Sequence, residues 1–171
     1  MFALIDNNQI TQIGELRDLF PNEANPSVEY ATQRGAREIV EGEQLDQRFY
    51  WVTFDRYDVQ PDKVIRLYVN TPKALEDVTE TPEGQTEPVT TKGLKSQYVA
   101  QFKATANSLL QATDWTVIRK AERGVDIPAD VAAKRAHILA ECDRLIAAAQ
   151  AAQDMPAFMA AVQSANWNGD E

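Results

Sequence analysis

One cysteine, one histidine, seven scattered glycines and no long apolar run set the first limits on what this chain of 171 residues does. Cys142 alone forms no disulfide within the chain and fits a reducing compartment. His137 alone is too little for a His-rich metal centre or a histidine-based triad. His137 and Cys142 stand five apart, a spacing that does not face them across a helix, so no nucleophile and base meet there. No two glycines have the spacing of a nucleotide-binding loop. No cofactor, metal site or catalytic group is therefore expected, and the chain is not expected to be an enzyme. Nowhere do about 18 apolar residues run together, and "MFALIDNNQITQIG" has neither the basic start nor the apolar stretch of a signal peptide, so a cytoplasmic protein is expected.

Positive charge is also scarce. Seventeen Lys and Arg face 26 Asp and Glu, for a net charge of −9. That balance repels phosphate backbones and anionic lipid, so neither nucleic acid nor membrane is an expected partner. The densest basic run, Arg119, Lys120 and Arg123 in "IRKAER", reads as the solvated face of a short helix. Carboxylate pairs such as Glu41 with Glu43 and Asp55 with Asp58 read as solvated turn charges.

What is present divides the chain into three. Residues 71 to 92, built around "TPKALEDVTETPEGQTEPVTT", are acidic, rich in Thr and Pro and nearly devoid of large apolar side chains, so they are expected to be a linker. Before them, residues 1 to 70 read as a small mixed β-sheet module with one helix. "FALID" and "QITQIG" form a hairpin across "NN", "SVEYATQRG" a helix capped by Ser27 and closed by Gly35, and "AREIVEG" a strand. "RFYWVTFDRYDV" and "KVIRLYVN", joined by "QPD", are the strongest β signal. Alternation puts Phe49, Trp51 and Thr53 on one face of that strand and Tyr50, Val52 and Phe54 on the other. One face is expected in the core, and the other needs a cover from the module's helix or from a partner.

Residues 93 to 171 read as a helical module of three to four short helices, making the whole an α+β protein. Tyr98, Phe102, Ala106 and Leu109 form one apolar stripe; Val131, Ile138, Leu139, Cys142, Leu145, Ile146 and Ala149 form another. Thr113 or Asp114 is placed to cap "WTVIRKAER", which Gly124 ends; Asp126 and Pro128 open the next helix, and Asp154 caps the last, "MPAFMAAVQ". Trp115, just after the acidic cap, is expected to bury its ring between the helices and supply core volume. Trp167 closes the chain before its acidic end.

The stretch "SLLQATDWTVIRKAERGVDIPADVAAKRA" resembles the C-terminal segment of tail fibre assembly proteins of tailed bacteriophages, in which a Leu-rich helix runs into Thr-Asp-Trp and then an Arg-bearing helix. The matching positions are Leu109, Leu110, Thr113, Asp114, Trp115, Arg119, Glu122, Gly124, Ile127, Pro128 and Arg135. Where that family has a Trp-rich, proline-bordered loop after Thr-Asp-Trp, this chain carries "VIRKAERGVDIP". "FALIDNNQITQIGELRDLFP" is similar to the opening of small proteins encoded among phage tail genes. The resemblance implies a chaperone that helps a trimeric tail fibre fold and attach, acting in the host cytoplasm without a cofactor. A permanent tail component, such as a fibre tip, adaptor or baseplate protein retained in the virion, is the alternative. Tyr50, Trp51, Phe54, Trp115, Arg119 and Trp167 are the candidate partner-binding residues.

Overall fold

The computed structural model describes residues 1–84 and 86–169. Gln85 of the expected linker and the acidic end, Asp170 and Glu171, lie outside the described residues. The fold is α+β, and the chain divides into two compact units, Met1–Thr71 and Pro72–Glu171.

The first unit holds β1 (Phe2–Asp6), β2 (Gln9–Gly14), α1 (Leu16–Leu19), α2 (Val28–Gln33), β3 (Ala36–Glu41), β4 (Tyr50–Val59) and β5 (Lys63–Pro72). The strands form one sheet in the order β2-β1-β3-β5-β4. It is mixed: β1 runs antiparallel to β2 and β3, whereas β3 runs parallel to β5. Asn7 and Asn8 make the first turn with φ of 49° and 63°, the left-handed pair that a two-residue hairpin turn demands. Ser27 caps α2 by accepting the Tyr30 N–H at 3.1 Å. The unit has a second helix that periodicity did not reveal, because α1 is a single turn of four residues. Its core is assembled mostly from small side chains, Ala3, Ala31, Ala36 and Val64, with Leu19 and Phe49.

The strict alternation expected along β4 does not hold. Phe49 is fully buried, but it precedes the strand, in a turn where the Tyr50 N–H reaches the Asp46 carbonyl. Trp51, expected to share its burial, is 62% exposed. The rings of Phe54 and Tyr57 lie 5.0 Å apart, whereas residues three apart on a regular strand point to opposite faces. Regular alternation is therefore broken between Phe54 and Tyr57.

The second unit contains β6 (Val78–Glu80), β7 (Val89–Thr91), α3 (Leu94–Gln111), α4 (Asp114–Arg123), α5 (Ala129–Ala151) and α6 (Met155–Gln163). Residues 71 to 92, expected to be a linker, thus contain an antiparallel ribbon that pairs Val78 with Thr91, Thr79 with Thr90 and Glu80 with Val89. Every residue of both strands is exposed, so the apolar burial that composition predicts to be missing is indeed missing. Hydrogen bonds order the segment instead, through its attachment to the start of α3. Leu94 and Lys95 donate their N–H groups to the carbonyls of Ala74 and Leu75 at 2.9 and 3.0 Å. The N-cap residue of α3, Gly93, has no side chain for the role; Asp77 accepts its N–H at 2.8 Å. This bond and one from the Ser96 hydroxyl hold the Asp77 carboxyl below its usual range, with the Ser96 bond the larger cause. Gly93 is required by proximity, because a Cβ there would sit 2.2 Å from the Glu76 carbonyl oxygen.

Both α3 and α6 pack on α5. The core joins Leu94, Phe102 and Ala106 of α3 to Ile138, Cys142, Leu145 and Ala149 of α5 and to Met155 and Phe158 of α6. Two of these helices are long, at 18 and 23 residues, rather than short as expected. Leu109 and Leu139, expected on the buried stripes, are exposed. Asp154 caps α6 through the Ala157 N–H at 2.8 Å.

Candidate functional site

The segment from Leu110 to Arg135 is organised by one guanidinium. The last carbonyls of α3 lack the N–H four residues on that the helix interior supplies, and that of Leu110 accepts the Thr113 N–H at 2.9 Å instead. Arg135 Nη1, from the second turn of α5, donates to the Leu110 carbonyl at 2.9 Å and to Thr113 Oγ1 at 2.7 Å, and it forms an ion pair with Asp114 Oδ1 at 2.9 Å. Thr113 in turn donates its hydroxyl to the Leu110 carbonyl at 3.0 Å. A cation at the last carbonyls of α3 and an anion in the first turn of α4 both have the sign that the helix dipoles favour. Leu110, Thr113, Asp114 and Arg135 therefore form one knot that fixes where α3 stops and α4 begins.

Neither Thr113 nor Asp114 caps α4 as expected. Thr113 occupies the N-cap position without a side-chain cap bond, because its hydroxyl and the Asp114 carboxylate are committed to the knot. Gly124 ends the helix as expected, in the left-handed region at φ 66°. Asp126 pairs with Lys120 at 3.1 Å, while Pro128 is the residue at the N-cap of α5.

Trp115 is not in the core. Thr116 is the buried residue of α4, with its hydroxyl donated to the Thr113 carbonyl at 2.6 Å, and Trp115 is 57% exposed. With Thr113 and Asp114 fixed by the knot and Thr116 turned inward, the adjacent Trp115 is rotated away from the bundle. Ile118 is 56% exposed. Helical spacing places Trp115, Ile118, Arg119 and Glu122 along one stripe of α4, an apolar pair followed by a charged pair. The structure thus brings Trp115 and Arg119 together on one exposed helix face.

The remaining candidates lie elsewhere. Trp167, half-buried, follows a tail that Glu141 holds against α5. Glu141, itself buried, accepts Arg144 through both carboxylate oxygens at 2.7 Å and the Asn166 N–H at 2.7 Å, while His137 Nε2 lies 2.8 Å from the Asn166 carbonyl. Arg144 is the main reason that the Glu141 carboxyl is held below its usual range. Sequence reasoning passed over Glu141; its position four residues after His137 was the available signal. In the first unit, Tyr50 is half-buried and Phe54 is 46% exposed, both on β4 with Trp51. On one face of the sheet the Arg66 guanidinium lies 5.3 Å from the Phe54 ring centroid and 5.5 Å from that of Tyr68, while the Tyr68 hydroxyl donates to Glu41.

Burial raises the pKa of the Cys142 thiol, which disfavours the thiolate needed for nucleophilic chemistry. Among the described residues, no group of three His, Cys, Asp or Glu could hold a metal ion, and no helix is long and apolar enough to cross a membrane. Compared with known protein families, curated proteins and solved structures, the chain matches none.

Proposed function

We propose that this chain is an accessory protein of bacteriophage tail fibre assembly, a chaperone that engages a trimeric fibre in the host cytoplasm through the exposed stripe of α4. The observation that carries the reading is the construction of the Thr-Asp-Trp block. Three residues of the resemblance, Thr113, Asp114 and Arg135, are spent on holding α4, and a fourth, Trp115, is left facing outward. A half-exposed Trp beside an Ile and an Arg has the make-up of a protein-binding hot spot, where aromatic and Arg side chains contribute most. Fibre trimers assemble through slow, non-local β-pairing, and their unpaired edges aggregate until the chains intertwine, which gives such a helper its purpose. The reading requires no cofactor, no metal and no catalytic residue.

The test is co-expression with the fibre encoded beside it, followed by sizing and a check for co-elution. A soluble fibre trimer that elutes apart from this chain is the expected result. Stable co-elution at fixed stoichiometry makes the chain a permanent tail component instead, and an unchanged fibre removes the reading.

A further inference from the structure

We propose that β4 is a docking edge for one extended strand of another polypeptide, a strand that carries lysine or arginine among apolar residues. This goes beyond the fibre reading and uses a different surface. β4 is ten residues long and ends the sheet; among the described residues its only strand neighbour is β5. The opposite edge strand, β2, has six residues and packs against α1. The Gln60 N–H donates to the Lys63 carbonyl at 2.9 Å, and this bond sets the alternation along the hairpin. Gln60 and Asp58 turn their backbone groups toward β5, and Val59 and Tyr57 turn theirs outward. Outward N–H and C=O groups in a row match another extended backbone.

The side chains select which strand. Asp55, Arg56 and Asp58 are exposed on β4. Arg56 and Asp55 pair with each other at 2.7 Å, so the charge left over among these three is that of the Asp58 carboxylate. Residues 1 to 71 carry twelve acids and seven bases, so the unit that holds this edge is net negative. A second copy would bring the same acidic edge and be repelled; a cationic strand is attracted. Phe54, in ring contact with Tyr57, gives the added strand an apolar ledge.

The experiment is backbone amide exchange on the ¹⁵N-labelled full chain, alone and with a synthetic peptide of alternating lysine and valine matched to β4 in length. Tyr57 and Val59 are expected to exchange rapidly in the free chain and to slow at least about tenfold with the peptide. An alternating glutamate and valine peptide is expected to leave them unchanged. The double substitution Asp55→Lys with Asp58→Lys, at two exposed positions, should keep the fold and transfer the effect to the glutamate peptide. Three outcomes overturn the proposal: protection of both amides in the dilute free chain, protection that rises with protein concentration alone, or a lysine peptide that leaves both amides unchanged. No fibre enters this experiment, so its failure leaves the fibre reading standing, and failure of the co-expression test leaves this inference standing.

Discussion

Two short helices of the second unit, α4 and α6, differ by one residue in length and use opposite means of attachment. α6 is held by burial: Phe158 is fully inside and meets Tyr98 edge-on at 5.4 Å, with Met155 beside it. α4 is held by polar contacts at its first turn, with Thr116 buried and Trp115 outside. A helix anchored through hydrogen bonds at one end keeps its apolar residues available to something else, whereas one anchored by its apolar residues has none to offer. The difference separates a part of the molecule built for stability from one suited to contact.

The burial side of this comparison is where the largest loss is expected. Phe158→Ala removes a fully enclosed ring and should cost about 3 to 5 kcal/mol, read as a lower urea midpoint. A loss below about 1 kcal/mol would show that α6 is not attached by its core residues. Next comes Glu141→Gln, which weakens the tie between α5 and the tail at Asn166; about 2 kcal/mol is expected at neutral pH. The pH dependence has a definite sign. The Glu141 carboxyl titrates below its ordinary value of 4.5 in the folded chain, so its contribution is complete above that value and fades as pH falls toward the lowered pKa. Unfolding measured from neutral to acid pH should show the wild-type advantage over Glu141→Gln shrinking below about pH 4.5; a constant gap would mean that the carboxylate charge is not what holds the tail.

On the polar side, Arg135→Ala should cost about 1 to 2 kcal/mol, less than Phe158→Ala because the guanidinium is partly solvated. Its distinguishing effect is local. Amides of α4 should exchange faster while those of α6 keep their protection, since the knot fixes only the former. Equal loosening of both helices would erase the contrast between them. Arg135→Lys should recover only part of the loss, because an ammonium is more strongly hydrated than the guanidinium whose Nη1 makes all three contacts.

Much of the fold could be read from the sequence wherever one local rule dominates. The Asn7–Asn8 turn, the Ser27 and Asp154 caps and the Gly124 stop each rest on the chemistry of one or two residues. The apolar periods of α3 and α5 were also plain, yet Leu109 and Leu139 show that a period does not tell where a neighbouring helix ends its cover. What stayed hidden depends on partners distant in sequence. Asp77 serves the start of α3 from 16 residues away, and composition cannot show that a carboxylate in an acidic segment has that task. The Arg135 bond to Thr113 spans 22 residues, and it reverses the reading of Trp115. A Trp next to a helix start looks like core until the residues on either side of it prove to be anchored.

Trp115→Ala therefore carries the smallest expected effect on stability and the most information. With its ring more than half exposed, truncation should move the free energy of unfolding by no more than about 0.5 kcal/mol. The same substitution should weaken fibre binding by about 2 kcal/mol or more, roughly thirtyfold, if Trp115 is the anchor of the α4 stripe. Measuring both quantities on one variant separates the two roles that a Trp can play. A loss of about 3 kcal/mol in stability would return the ring to the core and make α4 a second α6. Unchanged stability together with unchanged fibre binding would keep α4 as a solvent-facing helix but move the contact elsewhere on the chain.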